Sequence, residues 1–165
     1  MDPLRIGVLT VSDACSRGER EDASGSVVEE WCRREGHELA RRATVPDRTD
    51  AIVAILLRWA DREEVDVILT TGGTGFGPRD VTPEATRAVL DRLAPGITEV
   101  VRRRGEAATP YALLSRGLAG SRGRVFLANL PGSPGGVRDG LQVLGPVIRH
   151  LSALLTDSTT RHRQS

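Results

Sequence analysis

The stretch from Ile68 to Glu84 concentrates residues that could do chemistry. Thr70 and Thr71 lead into Gly72, Gly73, Thr74, Gly75 and Gly77, followed by Arg79, Asp80 and Thr82-Pro83-Glu84. Glycines carry no Cβ and can take positive φ, so successive backbone N–H groups can converge on one anion. A helix opening with Thr82 as N-cap and Pro83 at its first position adds the partial positive charge of its N-terminus. Strand, glycine loop and helix start together make a phosphate cradle. The loop lacks the Gly-Lys-Ser/Thr end of a P-loop, and Gly73-x-Gly75-x-Gly77 has the wrong last interval for a dinucleotide fingerprint. All 23 basic residues are arginine, which removes both a P-loop lysine and a Schiff-base nucleophile.

Asp80 closes this loop. A carboxylate beside a phosphate repels it unless a cation lies between them, so its position points to Mg²⁺. The structural alternative is an Asx turn that settles the helix entry. Asp47, after Val45-Pro46, has the same double reading: a partner acid at the site, or the cap of the helix it precedes. A second glycine turn, Asn129 to Gly136 with Pro131, Gly132 and Ser133, repeats the order strand, turn, helix and suggests a ligand with two anionic ends. Ser12-Asp13 and Ser115-Arg116 are further loop candidates, although isolated loop serines usually cap or turn. Arg102–Arg104 reads as a solvated helix face, and none of His37, His150 and His162 is placed like a general base.

These residues need elements to hold them. Apolar runs predict strands at Leu4–Val11, His37–Val45, Val65–Thr70 and Arg124–Leu130. Helical patterns fall between them, at about Gly25–Glu35, Asp47–Ala60, Thr82–Leu93 and Ile97–Ala107. A last helix, from near Val137 to about Leu155, is expected to kink or split at Gly145-Pro146. The alternation implies an α/β fold, three-layer αβα with a mostly parallel sheet. Ligands of such sheets sit beyond the carboxyl ends of the strands. That rule gathers Ser12-Asp13, Pro46-Asp47, the glycine loop and Pro131–Gly136 on one edge.

At 165 residues the expectation is a single domain, with a core of about 4–155 and a polar tail over 156–165. A net charge of +1 and 3% aromatic residues give no basis for nucleic-acid binding. No apolar stretch reaches the roughly 18 residues of a membrane span. Cys15 and Cys32 lack CxxC spacing, and the first residues lack the basic and apolar regions of a signal peptide, so a cytoplasmic protein is expected.

The string from Leu69 to Thr86 resembles the signature of the molybdenum-cofactor biosynthesis family. That family includes the bacterial Mog and MoaB proteins and the G domains of gephyrin and its plant counterpart. Val11-Ser-Asp13, Val45-Pro-Asp47, Leu114-Ser-Arg116 and Asn129-Leu-Pro-Gly132 match in order, so the likeness spans about residues 4–155. It implies a Mog/MoaB-like fold and a molybdopterin adenylyltransferase, with ATP as co-substrate and Mg²⁺ as cofactor. Asp47 and Asp80 would then be the catalytic acidic pair that manages the metal. Thr71, Gly72, Gly73, Thr74 and Gly75 would hold phosphate, with Ser12, Asp13, Ser115, Pro131, Gly132 and Ser133 on the ligands. The resemblance further implies a trimer or hexamer and hand-over of the product to a molybdenum-insertion protein. Two alternatives stand beside the enzyme: a non-catalytic pterin- or nucleotide-binding carrier, and the related domain of competence-damage proteins.

Overall fold

The computed structural model describes residues 2–161. Six strands form one sheet in the order β2 (Glu38–Val45), β1 (Arg5–Val11), β3 (Val67–Thr71), β6 (Val125–Leu130), β5 (Ala119–Arg122), β4 (Arg92–Leu93). β1, β2, β3 and β6 run parallel. These are the four strands expected from the apolar runs. Ile6, Val8, Leu9, Val67, Ile68 and Leu69 are all fully buried, as continuous apolar runs require of strands covered on both faces.

Helices cover both faces. α2 (Ala23–Glu35), α5 (Pro95–Glu106) and α6 (Pro134–Arg161) lie over Ile6, Val8, Leu69, Phe126 and Ala128. On the other face, Ile52, Leu56 and Trp59 of α3 (Thr49–Asp61) and Ala85 and Val89 of α4 (Thr82–Val89) pack against Leu9, Ile68 and Leu127. The three-layer αβα arrangement follows. A short helix, α1 (Asp13–Ser16), occupies the polar stretch after β1, and a 3₁₀ turn spans Pro110–Leu114.

Several expectations give way. β5 (Ala119–Arg122) and β4 (Arg92–Leu93) add an antiparallel edge that no sequence pattern announced. Ala-Gly-Ser-Arg contains no β-branched residue, and β4 is only two residues long. α4 ends at Val89 rather than at Leu93, because the chain turns extended at Leu90 to enter β4. α3 begins at Thr49, so Asp47 does not cap it. α6 is not split at Pro146: it runs unbroken from Pro134. Leu141, Leu144 and Ile148, at most 2% exposed, hold it to the sheet on both sides of the proline. The expected polar tail is helical as far as Arg161, and its last residues lie outside those described. No helix among the described residues is long and apolar enough to cross a membrane.

The strand registers decide where the loops meet. Thr10 pairs with Thr71, Thr71 with Leu130, and Val11 with Val45. The residues that follow all four parallel strands therefore share one edge. β1 has β2 on one side and β3 on the other, which makes this edge a topological switch point.

Candidate active site

The glycine loop after β3 is held in a specific polarity. Gly72 and Gly73 have φ of 90° and 68°. A Cβ on Gly72 would stand 2.3 Å from the Val11 carbonyl oxygen, and one on Gly73 2.3 Å from Thr82 Oγ1. Neither position accepts a side chain. Four consecutive carbonyls are then tied back by two residues. Thr82 donates from Oγ1 to Gly72 O (2.8 Å) and from its backbone N–H to Gly73 O (3.1 Å). Arg116 donates from its backbone N–H to Thr74 O (2.8 Å) and from Nε to Gly75 O (2.8 Å). The N–H groups of Gly73, Thr74 and Gly75 have no acceptor among the described residues. Unpartnered N–H donors in a loop whose carbonyls are already engaged are the chemistry that an oxyanion receptor requires.

Thr82 is therefore not the expected N-cap. It is the first residue of α4, Val81 is the cap position without a side-chain bond, and the Thr82 hydroxyl serves the loop instead. Arg116 does still more. Its guanidinium donates to Asp80 O (2.9 Å), pairs with Glu84 and lies 5.3 Å from the Phe76 ring centroid. That pairing holds the Glu84 carboxyl below its ordinary range. Asp80 closes the loop locally: Gly77 N–H donates to Asp80 Oδ2 (2.8 Å), and Asp80 N–H returns to Gly77 O (2.9 Å).

The second acid is positioned by a reciprocal pair. Asp13 N–H donates to Asp47 Oδ2 (2.8 Å) and Asp47 N–H donates to Asp13 Oδ1 (3.0 Å), which joins the ends of β1 and β2. Arg79 grips Asp13 through Nε to Oδ2 (3.0 Å) and a terminal nitrogen to Oδ1 (2.9 Å). Arg79 and then Asp47 N–H hold the Asp13 carboxyl below its ordinary range. Asp47 moves the other way. Burial raises its pKa first, the negative charges of Asp13 and Asp80 add to this, and Asp13 N–H and Arg79 oppose it. A Cβ on Gly73 would lie 3.3 Å from Asp47 Oδ1, so this carboxylate borders the loop.

Two clefts flank the loop. One, of about 390 Å³, is lined by Thr74, Gly75, Ser115 and Pro131, Gly132 and Ser133, with Val101, Arg102, Tyr111, Ala112 and Leu114 as walls. The other, of about 290 Å³, is lined by Ser12, Thr71 and Gly72 together with Thr10, Arg20 and Asp22. The candidate residues thus divide between the two clefts, with Asp13, Gly73, Asp47 and Asp80 bordering neither. Within the first cleft, Ser115 Oγ is 3.5 Å from Thr74 Oγ1. In the second, Ser12 Oγ accepts from Cys15 N–H (3.2 Å) and from Arg20 (3.1 Å). Sequence reasoning missed the clamping roles of Thr82 and Arg116 and the cleft position of Arg102. Only Arg116 left a trace, as the neighbour of Ser115.

Fold and site together define an α/β protein with a glycine loop and two carboxylates at the carboxyl edge of its sheet. Residues 7–150 match the family described as "Probable molybdopterin binding domain", and the chain belongs to that Mog/MoaB-like family of molybdenum-cofactor biosynthesis. It is 37% identical over 161 residues to the Molybdopterin adenylyltransferase of Helicobacter pylori (strain J99), covering 94% of this chain and 89% of that protein. To the Molybdenum cofactor synthesis protein cinnamon of Drosophila melanogaster it is 40% identical over 169 residues; the match covers 100% of this chain but only 28% of that protein. Among solved structures, the Molybdopterin biosynthesis enzyme MoaB of Thermus thermophilus superposes with a TM-score of 0.87 at 49% identity, covering 93% of this chain and 97% of that one.

Proposed function

We propose that this chain is a molybdopterin adenylyltransferase, a single-domain enzyme that transfers AMP from ATP to the terminal phosphate of molybdopterin and releases pyrophosphate. One observation carries the reading: four consecutive loop carbonyls are tied back by Thr82 and Arg116, so that free N–H groups stand beside Asp47 and Asp80. The Molybdopterin adenylyltransferase of Helicobacter pylori, similar over nearly its whole length, supports the same reaction.

The chemistry asks little of side-chain bases. A phosphate monoester is largely ionised near neutral pH (second pKa about 6), so its oxygen can attack the α-phosphorus of ATP directly. The new P–O bond forms as the bond to pyrophosphate breaks. Catalysis then consists of holding two anions in line and spreading their charge. The loop N–H groups hold phosphate oxygens, and the two clefts keep the reactants on either side.

Mg²⁺ fits the donor set. Asp47 and Asp80 each use only Oδ2 in hydrogen bonding, which leaves Oδ1 of both as hard oxygen donors. Among the described residues no group of three or more His, Cys, Asp or Glu side chains could cage a metal alone. Mg²⁺ typically binds through one or two carboxylates plus substrate phosphates, and when bound it neutralises phosphate charge. The reading extends to a cytoplasmic homo-oligomer, trimeric or hexameric, that passes its product to a molybdenum-insertion protein.

Turnover tests it: incubation of the protein with ATP, Mg²⁺ and molybdopterin should yield adenylylated pterin and pyrophosphate in equal amounts. Binding of both ligands without product would replace the enzyme with a carrier. Asp80→Asn keeps an oxygen for Gly77 N–H and removes the charge. It should lower kcat on the order of a hundredfold or more while leaving pterin affinity within about threefold. Unchanged turnover would take Asp80 out of the mechanism.

A further inference from the structure

Arg102 lies one turn along the α5 face from Thr98, and the triple-arginine run to which it belongs reads in sequence as a solvated surface. The structure separates it from its neighbours. Arg103 and Arg104 are exposed, whereas Arg102 is half-buried and lines the cleft of about 390 Å³ beside Thr74, Gly75 and Ser115. It also borders a smaller cavity of about 250 Å³ behind the loop, with Thr98 and Arg116.

Its hydrogen bonds differ from those of the arginines that grip one carboxylate side-on, and this cleft-lining arginine has no acidic partner among the described residues. Arg5, Arg17, Arg79 and Arg122 each place Nε and Nη2, the side-on edge of the guanidinium, against a single carboxylate: Asp66, Glu19, Asp13 and Asp61. Arg102 instead spends Nη1 on two backbone carbonyls, Ser115 O at 3.2 Å and Gly117 O at 3.3 Å. On the side-on edge, Nη2 makes only a 3.4 Å contact with Thr98 Oγ1, and Nε has no acceptor among the described residues. No acidic side chain pairs with it. The acid that does line the cleft, Asp139, is paired with Arg104 at 3.7 Å.

A half-buried guanidinium without a counter-charge is costly unless an anion arrives. Its orientation is already set by two carbonyls, and its unoccupied edge matches the planar fork by which arginine grips carboxylate or phosphate. We propose that Arg102 is an anion-binding residue of the cleft, taking a phosphoryl group of the ligand side-on through Nε and Nη2. The loop N–H groups would bind one phosphoryl oxygen set and Arg102 another, which suits reactants that bring several phosphates. The proposal rests on the adenylyltransferase reading only for which phosphate it is. Molybdopterin carries one and ATP three, and both present the same chemistry to a guanidinium.

Equilibrium binding of ATP and of molybdopterin, each alone, to wild type, Arg102→Gln and Arg102→Lys tests it. Arg102→Gln should weaken one ligand on the order of ten- to hundredfold while leaving the other within about threefold. Arg102→Lys, which keeps the charge but loses the fork, should fall between. The ligand that loses affinity identifies the phosphate. Unchanged affinity for both overturns the proposal. Equal loss for both also overturns it, since that is the mark of a loop loosened through Ser115 and Gly117. A wild type that binds both ligands but makes no product refutes the adenylyl transfer and leaves the Arg102 result standing.

Discussion

The two glycine turns at the sheet edge look alike in sequence and are held in different ways. The first, after β3, is fixed from a distance. Thr82 and Arg116, some ten and forty positions away in the chain, bind four successive carbonyls of Gly72, Gly73, Thr74 and Gly75. The second, after β6, fixes itself. Ser133 Oγ accepts from Gly136 N–H (3.1 Å), Ser133 O accepts from Val137 N–H (2.9 Å), and among the described residues only Ser24 reaches in from elsewhere, to Gly132 O. The first contains two left-handed glycines and the second none. A turn that must present several N–H groups to one point needs external clamps, because its own carbonyls would otherwise share that space. A turn that only starts a helix does not.

Paired substitutions break this comparison most sharply. Gly72→Ala puts a methyl 2.3 Å from Val11 O at a φ of 90° and should cost roughly 2–5 kcal/mol of folding stability. In the second turn, Gly135→Ala sits in the first turn of α6 with nothing within 4 Å of the added methyl. It should stabilise the protein by about 0.4–1 kcal/mol. Denaturant unfolding of the ligand-free protein measures both. Equal destabilisation by the two would show that the turns are equally constrained.

Arg116→Ala comes next. It removes the side-chain donors to Gly75 O and Asp80 O but leaves the backbone donor to Thr74 O. About 1–3 kcal/mol of stability should be lost. A fall in kcat/KM on the order of tenfold or more is expected, because the loop N–H groups lose their common focus. Arg116→Lys should recover little of the activity, since one ammonium cannot span two carbonyls and Glu84. Recovery of full activity by lysine would mean that charge alone matters there and that the clamp is incidental.

Much of this arrangement was legible in the chain. The four parallel strands show as continuous apolar runs, and the rule about carboxyl ends then brings Ser12, Asp47, Gly72 and Pro131 to one edge. β5 was hidden because Ala119-Gly-Ser-Arg122 is paired by its neighbours rather than by its own propensity. The clamps were hidden for another reason. A threonine before a proline reads as a helix cap, and an arginine after a loop serine has no periodicity to mark it. Their roles come from contacts across the fold, as does the one proposed for Arg102, which shares its run with the exposed Arg103 and Arg104.

The weakest effect concerns how the two acids are joined. Arg79 precedes Asp80 in the loop yet reaches back to Asp13, which in turn holds Asp47. It is an exposed ion pair, so Arg79→Gln should change kcat/KM near neutral pH by no more than about threefold. Its signature is in the pH profile. Arg79 is the largest cause of the lowered Asp13 pKa and one of the groups that lowers Asp47, whose carboxyl burial already pushes up. Removing the guanidinium lets both carboxyls rise. If Asp47 must be ionised for turnover, the acid limb of kcat/KM moves to higher pH in the variant. Stability should change in a matching direction. A carboxyl whose pKa is lowered on folding stabilises above its unfolded pKa and loses that contribution as pH falls through the folded value. The melting-temperature gap between wild type and Arg79→Gln should therefore be present at pH 6–7 and close as the solution is acidified below the usual carboxylate range of about 4. A closing gap with an unmoved acid limb would leave Asp13 as a structural tie only and would place the ionisation that limits turnover on a group other than Asp47.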